Sequence, residues 1–297
     1  MAISISGNRK TRVIIFKYCY LKSGPLILPD SFFLRDIVDS IEIFQIDAFT
    51  DKVFHGNPAA ICLLNDWLND ELLQAIAFEN NLSETAFVIE NADGYQIRWF
   101  TPKGEINLCG HATLAAGFLL FELMQIPTDT VHFSSLSGSL YVHKKDDLLT
   151  LNFPRLNCEE MSMQMLANII DKPILGAYAS DLDYLVLLAN EKQVVDAQID
   201  LQGLLKLPKR GLIITARGSE SDFYSRCFYL KHNIAEDPVT GSAHCVLAPF
   251  WSKRLNKTKL HAIQGSIRRG DVFCEVHEDR VHISGYCKWY SKGSLFI

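Results

Sequence analysis

Reactive side chains stand at the start of an apolar helix in the segment LCGHATLAAGFLLFELM, residues 108–124. Cys109, Gly110 and His111 precede thirteen residues that carry a single charge. The first backbone N–H groups of a helix lack partners within the helix, and the helix dipole places about half a positive charge beside them. Gly110 allows a ligand to approach this helix start closely. The segment therefore predicts a binding site for an anionic group such as a carboxylate.

A second segment, EDPVTGSAHCVLAPFW at residues 236–251, has the same arrangement. Asp237 lies just before a turn, and Gly241 and Ser242 begin the apolar run. When the two segments are aligned on Gly110 and Gly241, a Glu, the Gly and an Ala coincide within eight residues, which suggests a tandem duplication. Two such helix starts facing each other would clamp a carboxylate or stabilise an enolate-like intermediate. The alternative is two ordinary helix starts that begin at glycine.

Glu84 is a candidate general acid/base. It lies in NNLSETAFVIE, residues 80–90, where Asn81 and Glu84 have the spacing of a helix capping box. The residues after Glu84 are β-branched and aromatic, however, and predict a strand. A carboxylate flanked by Leu82 and Phe87 would be partly desolvated, and its pKa would rise toward the range that suits proton transfer near neutral pH.

His111 and Asp237 are the other candidate catalytic residues. Each also has a structural interpretation, His111 as a packed or exposed histidine and Asp237 as a turn or cap residue. Cys109 suggests a cofactor-free racemase, which uses one thiol on each side of the reacting carbon. The position that matches Cys109 in the second segment is Thr240, whose hydroxyl is far too weak an acid for that work. We therefore interpret Cys109 as a packing residue.

The composition is that of an ordinary globular protein, with 48% hydrophobic and 21% charged residues. A net charge of −5 with scattered basic residues argues against nucleic acid and membrane surfaces as partners. No run reaches the roughly 18 apolar residues that span a bilayer. The eight cysteines show no CxxC pairing and mostly lie in apolar runs, so we expect reduced thiols and a cytoplasmic location.

Motifs for nucleotides, metals and serine nucleophiles are missing from the sequence, including GxGxxG, the P-loop, HExxH and GxSxG. Nine histidines are spread along the chain without ligand-like company, so we predict no metal. Residues 1–38 form a predicted N-terminal extension. Its basic start and apolar patch resemble a signal peptide, but Lys17 interrupts the patch and no small-residue cleavage site follows at the right distance.

The elements that carry these residues are predicted to follow one order twice. Asp66 or Asn69 caps a first helix, with Leu68, Leu72 and Ile76 on one face. A helix that is apolar on nearly every side must be buried on every side, so we expect a curved sheet around each helix. In the first half the periodicity predicts strands at 41–49, 83–90 and 95–101, a hairpin at 140–154, and helices at 66–81 and 112–124. In the second half it predicts a helix-like stretch at 161–170, strands at 184–190, 211–218 and 223–230, a helix at 242–255 and a hairpin at 270–285.

The segments FQIDAFTDKVFHGNPAAI, NNLSETAFV, FTPKGEINLCGHATLAA and EDPVTGSAHCVLAPFW closely resemble the phenazine-biosynthesis PhzF-like family. The resemblance runs from about residue 42 to the C-terminus. It implies an α/β (α+β) fold like that of diaminopimelate epimerase, with two similar lobes that are each a β-barrel around a central apolar helix. We assign residues 41–152 plus 286–297 to the first lobe and residues 153–285 to the second.

The resemblance also implies a function and a site. A homodimer without cofactor or metal would move a proton between carbons of a small carboxylic acid, such as a cyclic dienol acid of the dihydro-hydroxyanthranilate type. Glu84, from the NLSE motif, would carry the proton, with His111 and Asp237 as the other catalytic residues. The residues that would hold the substrate carboxylate are Gly110, Gly241 and Ser242. Two alternatives stay open at this stage: an amino-acid racemase or epimerase, and a non-catalytic binding or interaction protein on the same fold.

Overall fold

The computed structural model describes residues 40–297 of the 297-residue chain. The predicted N-terminal extension, residues 1–38, lies outside the described residues. Ser40–Leu295 form one compact unit. No helix within the described part of the chain is long and apolar enough to cross a membrane.

The first half of this unit places two helices among eight strands. The elements are β1 (Ser40–Ala48), β2 (Asn57–Leu64), α1 (Asp70–Asn80), β3 (Glu84–Asn91), β4 (Gly94–Thr101), β5 (Gly104–Ile106), α2 (Gly110–Met124), β6 (Thr130–Ser135), β7 (Gly138–Lys145) and β8 (Leu148–Pro154).

The second half repeats this order with short additions. The elements are β9 (Glu159–Glu160), a 3-10 turn at Met163–Met165, β10 (Gly176–Ala179), β11 (Asp183–Leu187), α3 (Glu191–Asp196), α4 (Leu201–Leu205), β12 (Gly211–Arg217), β13 (Phe223–Tyr229), a 3-10 turn at Leu230–His232, β14 (Ile234–Asp237), α5 (Gly241–Leu255), β15 (Lys259–Gln264), β16 (Gly270–Val276), β17 (Arg280–Gly285) and β18 (Cys287–Phe296).

Strand pairing follows the same scheme in both halves. In the first, β1 and β2 are antiparallel, β2 and β3 are parallel across α1, and β4 and β6 are parallel across α2. In the second, β10 and β11 are antiparallel, β11 and β12 are parallel across α3 and α4, and β13 and β15 are parallel across α5. Antiparallel β6–β7–β8 and β15–β16–β17 complete the two sets. This correspondence is the internal repeat that the two glycine-led segments predict.

The two halves share one hydrogen-bonded network of strands. β8 pairs antiparallel with β17, so the halves join along these two strands. β18, the last strand of the chain, pairs with β1 of the first half. The lobe boundaries, residues 41–152 plus 286–297 and residues 153–285, stay a prediction.

Helix α2 is buried on nearly every side, as its apolar sequence predicts. Eleven of its fifteen residues are buried, and they pack against the strands of the first half. Gly117 allows close packing, since a Cβ at this position would lie 2.7 Å from a methyl carbon of Val142. Helix α5 occupies the equivalent place in the second half, with ten buried residues.

The ends of α1 and the stretch at residues 161–170 decide three local predictions. The cap of α1 is Asn69 rather than Asp66, because the Asn69 side chain accepts the N–H of Leu72. Asn81 ends α1 in a left-handed conformation (φ 49°) and Glu84 begins β3, so the capping-box interpretation was rightly rejected. The helix-like stretch at 161–170 is wrong, since it holds only the 3-10 turn at Met163–Met165.

Candidate active site

The N-termini of α2 and α5 meet head to head. A Cβ on Gly110 would lie 3.2 Å from the Cα of Gly241, and a Cβ on Gly241 would lie 3.3 Å from the Cα of Gly110. Only glycine at both positions lets the two backbones approach this closely. The cap residues, Cys109 and Thr240, make no side-chain capping hydrogen bond, so neither helix start is blocked by its own cap. The first N–H groups of the two helices, from Gly110 and Gly241 onward, form a converging pair of anion sites.

Matching ion pairs hold the approach to each helix start. Arg98 on β4 makes a bidentate pair with Glu105, with both N–O distances 2.7 Å. Arg226 on β13 makes the same pair with Glu236, at 3.0 and 2.7 Å. Glu105 and Glu236 occupy the aligned position five residues before the two helix glycines. The repeat therefore extends from sequence and strand pairing to side-chain contacts.

Glu84 lies at the start of β3 and is 8% exposed. Its Oε2 is 3.2 Å from Nε2 of His111, but the two atoms are not aligned for a hydrogen bond, and neither has another partner among residues 40–297. Burial, followed by the nearby charge of Asp237, raises the pKa of Glu84 to about 8, while Cys109 and Arg210 oppose this shift. A carboxyl group with this pKa can give up and take back a proton near neutral pH.

Asp237, the last residue of β14, is held by a fixed set of hydrogen bonds. Its Oδ1 accepts from Asn57 Nδ2 at 2.8 Å, and its Oδ2 accepts from the Thr240 hydroxyl at 2.5 Å. Burial raises the pKa of Asp237 to about 6, and the hydrogen bonds from Thr240 and Asn57 work against the increase. Gln264 fixes this turn from behind, since its amide donates to the carbonyl of Asp237 and its Oε1 accepts the N–H of Thr240.

Asn57 and Cys109 are the neighbours of Nδ1 of the His111 ring. Its Nδ2 donates to Asp237 Oδ1 and, at 2.9 Å, to the carbonyl of Val239, which fixes the orientation of the amide. The same Nδ2 lies 3.3 Å from Nδ1 of His111, and the Cys109 sulfur lies 3.6 Å from that nitrogen. The two hydrogens of the Asn57 amide go to Asp237 and Val239, so the Cys109 thiol is the neighbour that can donate to Nδ1. With this donor Nδ1 is the unprotonated nitrogen, and Nε2, the nitrogen beside Glu84, carries the hydrogen.

The His111 ring is neutral. It is buried, and burial lowers its pKa to about 3. The ring therefore presents Nε2–H as a neutral hydrogen-bond donor beside Glu84. Such a donor stabilises negative charge that develops on a ligand without competing with Glu84 for the proton.

Glu84, His111 and Asp237 line one pocket of about 410 Å³ together with Gly110, Gly241 and Ser242. All six residues singled out from the sequence thus lie around the same cavity. Asn57 was missed, although it stands in the HGNPAA segment that carries the family resemblance. Its partners His111 and Asp237 are 54 and 180 residues away in sequence, so only the folded chain reveals its role. Arg210 and Tyr229, which also line the pocket, were missed as well.

Glu84, Cys109 and His111 are the one group among residues 40–297 whose potential metal-ligand atoms all lie within 4.8 Å of one another. Metal binding would require the thiolate of Cys109, yet burial and the neighbouring Glu84 raise its pKa well above the ordinary value. The donor set therefore suits proton transfer better than metal coordination. The expectation of no metal stays a prediction.

A continuous repeat of strands around two buried helices, with a pocket lined by Glu84, His111 and Asp237 at their facing ends, defines a class: proteins of epimerase-like fold. The model of the family described as phenazine biosynthesis-like protein (PhzC-PhzF) matches residues 46–293. The chain belongs to this family. The match confirms the resemblance and, with the structural similarities below, the two-lobed fold.

Individual proteins agree with this assignment. An uncharacterized isomerase of Pseudomonas aeruginosa is 44% identical over 86% of this chain and 98% of its own length. The crystal structure of a PhzF-family phenazine biosynthesis protein of Enterococcus faecalis is similar with a TM-score of 0.84 and 44% identity, over 87% of this chain and 100% of that one. A hydroxyproline epimerase of Agrobacterium vitis shares the fold alone, with 8% identity over 86% of this chain and 92% of that one and a TM-score of 0.60. The family match and the relative named an isomerase identify the enzyme class as isomerase.

Proposed function

We propose that this protein is a cofactor-independent isomerase that moves a proton between carbons of a small carboxylic acid, with Glu84 as the general acid/base. The observation that carries the proposal is the buried Glu84 carboxyl group, which lies beside the Nε2–H of His111 in the pocket where two uncapped helix starts meet. An acid/base, a neutral donor and an anion site are the three elements that such a reaction requires.

In the proposed reaction the substrate carboxylate binds at the N-termini of α2 and α5, near Gly110, Gly241 and Ser242. The ionised form of Glu84 removes a proton from an activated carbon. The electron pair of the broken C–H bond passes into a C=C bond of the substrate that is conjugated with the carboxylate, and the helix N–H groups and His111 stabilise the negative charge that spreads onto the carboxylate oxygens. Protonated Glu84 then delivers the proton to the carbon at the far end of this conjugated system, so the C=C bond changes position and Glu84 returns to its ionised form.

Asp237 supports this cycle through its charge. Because its hydrogen bonds from Asn57 and Thr240 favour the ionised form, Asp237 opposes ionisation of Glu84. Asp237 thereby keeps the pKa of Glu84 in the range where both protonation states are accessible. We assign the catalytic role of Asp237 to this effect.

The same contacts weigh against the racemase alternative. Such an enzyme needs a second acid/base on the opposite face of the substrate carbon. Thr240, which matches Cys109 in the repeat, uses its hydroxyl to bond Asp237. Cys109 itself is buried with a pKa far above the ordinary range, so its thiolate is disfavoured. We also infer a cytoplasmic location, which the free thiols of the seven described cysteines support. The homodimer is inferred from the family resemblance, and analytical ultracentrifugation tests it.

Incubation of the protein with small carboxylic acids in heavy water tests the proposed function. We expect deuterium to appear at carbon in the acid that is the substrate. Glu84→Gln should lower the exchange rate by about 10²- to 10⁴-fold while ligand affinity changes little. Glu79→Gln, the same replacement at an exposed position of α1, is the matched control. Undiminished exchange by Glu84→Gln would show that another group carries the proton.

A further inference from the structure

Arg210 is a pocket residue that the proposed reaction does not use. It stands directly before β12, and its backbone N–H donates to the carbonyl of Leu182 at 2.9 Å. Its side chain is 27% exposed and lines the same cavity as the start of α2. The guanidinium is therefore within reach of a ligand in the pocket.

Three contacts hold this guanidinium in one orientation. Nε and Nη2 donate to the two carboxylate oxygens of the buried Asp183, at 3.0 and 2.5 Å. The guanidinium carbon lies 4.8 Å from the ring centroid of Tyr229. The next residue, Gly211, leaves room for that ring, since a Cβ there would be 2.3 Å from the Tyr229 Cδ1. Because the side chain is ordered before binding, a ligand need not pay for its immobilisation.

Arg210 and Tyr229 together form one wall of the pocket, called the Arg210 wall, and some of their hydrogen-bond donors have no partner among residues 40–297. An arginine has five N–H donors, and the bonds from Nε and Nη2 leave Nη1 with no hydrogen bond to any of residues 40–297. Tyr229 is 4% exposed, and its hydroxyl also has no partner within the described chain. Buried polar groups are ordinarily hydrogen-bonded, so the unpaired hydroxyl of Tyr229 marks the place of a ligand atom. Nη1 belongs to the partly exposed guanidinium that stacks on the same ring, so it is free to donate to that ligand.

The position of this wall limits where the ligand atom lies. Arg210 Nη2 is 3.1 Å from the hydroxyl oxygen of Ser242, the second residue of α5. A substrate whose carboxylate sits at the helix starts would thus reach Arg210 with an atom only a few bonds away. Asp183 neutralises the charge of Arg210. The Arg210 wall therefore favours a ligand oxygen that lies in the direction of its N–H donors, and the net charge of the ligand matters less.

We propose that Arg210 is a substrate-binding residue, and that the substrate carries a second oxygen acceptor, a carbonyl or carboxylate oxygen, in addition to the carboxylate at the helix starts. Nη1 of Arg210 donates to this oxygen, and the Tyr229 hydroxyl is the second donor on the same wall. The inference rests on the proposed function, because it takes the helix starts as the site of the first carboxylate. It narrows the substrate class to small keto acids and dicarboxylic acids.

Calorimetric binding of three acids of one chain length tests this assignment. Pentanoate has no second acceptor, 4-oxopentanoate has a neutral one and pentanedioate has a charged one. The wild-type protein should bind at least one of the latter two about tenfold or more tighter than pentanoate. Arg210→Lys keeps the positive charge beside Asp183 but loses the planar fork, and should reduce the preference to about twofold or less. Arg254→Lys is the matched control, since Arg254 stacks 3.6 Å from the Phe250 ring centroid and bonds the Tyr178 hydroxyl instead.

The outcomes separate the two proposals. No preference in the wild type, or an equal loss of affinity for all three acids in Arg210→Lys, would overturn the binding role. If Arg210→Lys does not fold, Tyr229→Phe decides, because it keeps the ring and removes only the hydroxyl; an unchanged preference there also overturns the assignment. Heavy-water exchange is measured separately. A preference that depends on Arg210 without any exchange would refute the proposed function alone, and exchange without a preference would refute this inference alone.

Discussion

Replacement of Glu84 by Gln should make the stability of the protein less sensitive to alkaline pH. Burial raises the pKa of Glu84 from its ordinary value of 4.5 to about 8. Between these two values the folded chain holds a proton that the unfolded chain releases. The stability contributed by this group is therefore fully present below about pH 4.5 and is lost as pH rises through about 8. Glu84→Gln removes this loss.

The expected magnitude follows from the same shift. At about 1.4 kcal/mol per pKa unit, a rise from 4.5 to about 8 corresponds to at most about 5 kcal/mol. Part of the shift comes from the charge of Asp237, and the structure relaxes around an ionised Glu84. We therefore expect the free energy of unfolding of Glu84→Gln, relative to wild type, to rise by about 2–4 kcal/mol between pH 5 and pH 9.

Urea denaturation of both proteins at a series of pH values measures this difference. Only the change with pH matters, because a constant offset reports how well the amide packs in place of the carboxyl group. Glu79→Gln, at an exposed position of α1, should show no such change, since that carboxylate is solvated in both the folded and the unfolded chain. A difference between Glu84→Gln and wild type that stays flat from pH 5 to pH 9 would refute the argument that Glu84 is desolvated.

Three further substitutions test other parts of the site. Asn57→Ala leaves the oxygens of Asp237 and Val239 without their donor, and should lower the free energy of unfolding by about 2–4 kcal/mol and the exchange rate by about 10²-fold; wild-type exchange would contradict its role in holding Asp237 in the site. Gly241→Ala forces the two helix starts apart by a few tenths of an ångström, so exchange should fall about tenfold or more while thermal unfolding shifts by only a few degrees. Cys109→Ala should keep the exchange rate within about tenfold, and a loss beyond about 10³-fold would instead favour a thiol-based racemase.

The parts of this molecule that could be predicted from sequence are those with a local signal. A helix that is apolar all round can only be a buried helix, and α2 and α5 are central in both halves. The β-branched and aromatic residues after Glu84 identify β3 in spite of the capping-box spacing. The very short helices α3 and α4 carry too few turns for a hydrophobic period, and they were missed.

The functional residues likewise divide into those with a local sequence pattern and those that only distant contacts reveal. Gly110 and Gly241 are visible because a glycine before an apolar run is a local pattern. Asn57 begins β2 and Arg210 lies in the bend before β12, and at such positions an amide or a guanidinium has many ordinary explanations. Their importance comes from partners far away in sequence, such as Asp237 for Asn57 and Ser242 for Arg210. No periodicity or spacing encodes such contacts, and only the closed fold brings them together.

The pairing of β18 with β1 has a consequence for biosynthesis. β1 leaves the ribosome before every other strand described, whereas β18 leaves after all of them. Until β18 is synthesised, the backbone donors and acceptors on the outer edge of β1 are therefore unpaired. An unpaired strand edge can associate with other nascent chains. A premature stop codon that removed β18 would leave that edge open permanently, even though every residue of the catalytic pocket would still be synthesised.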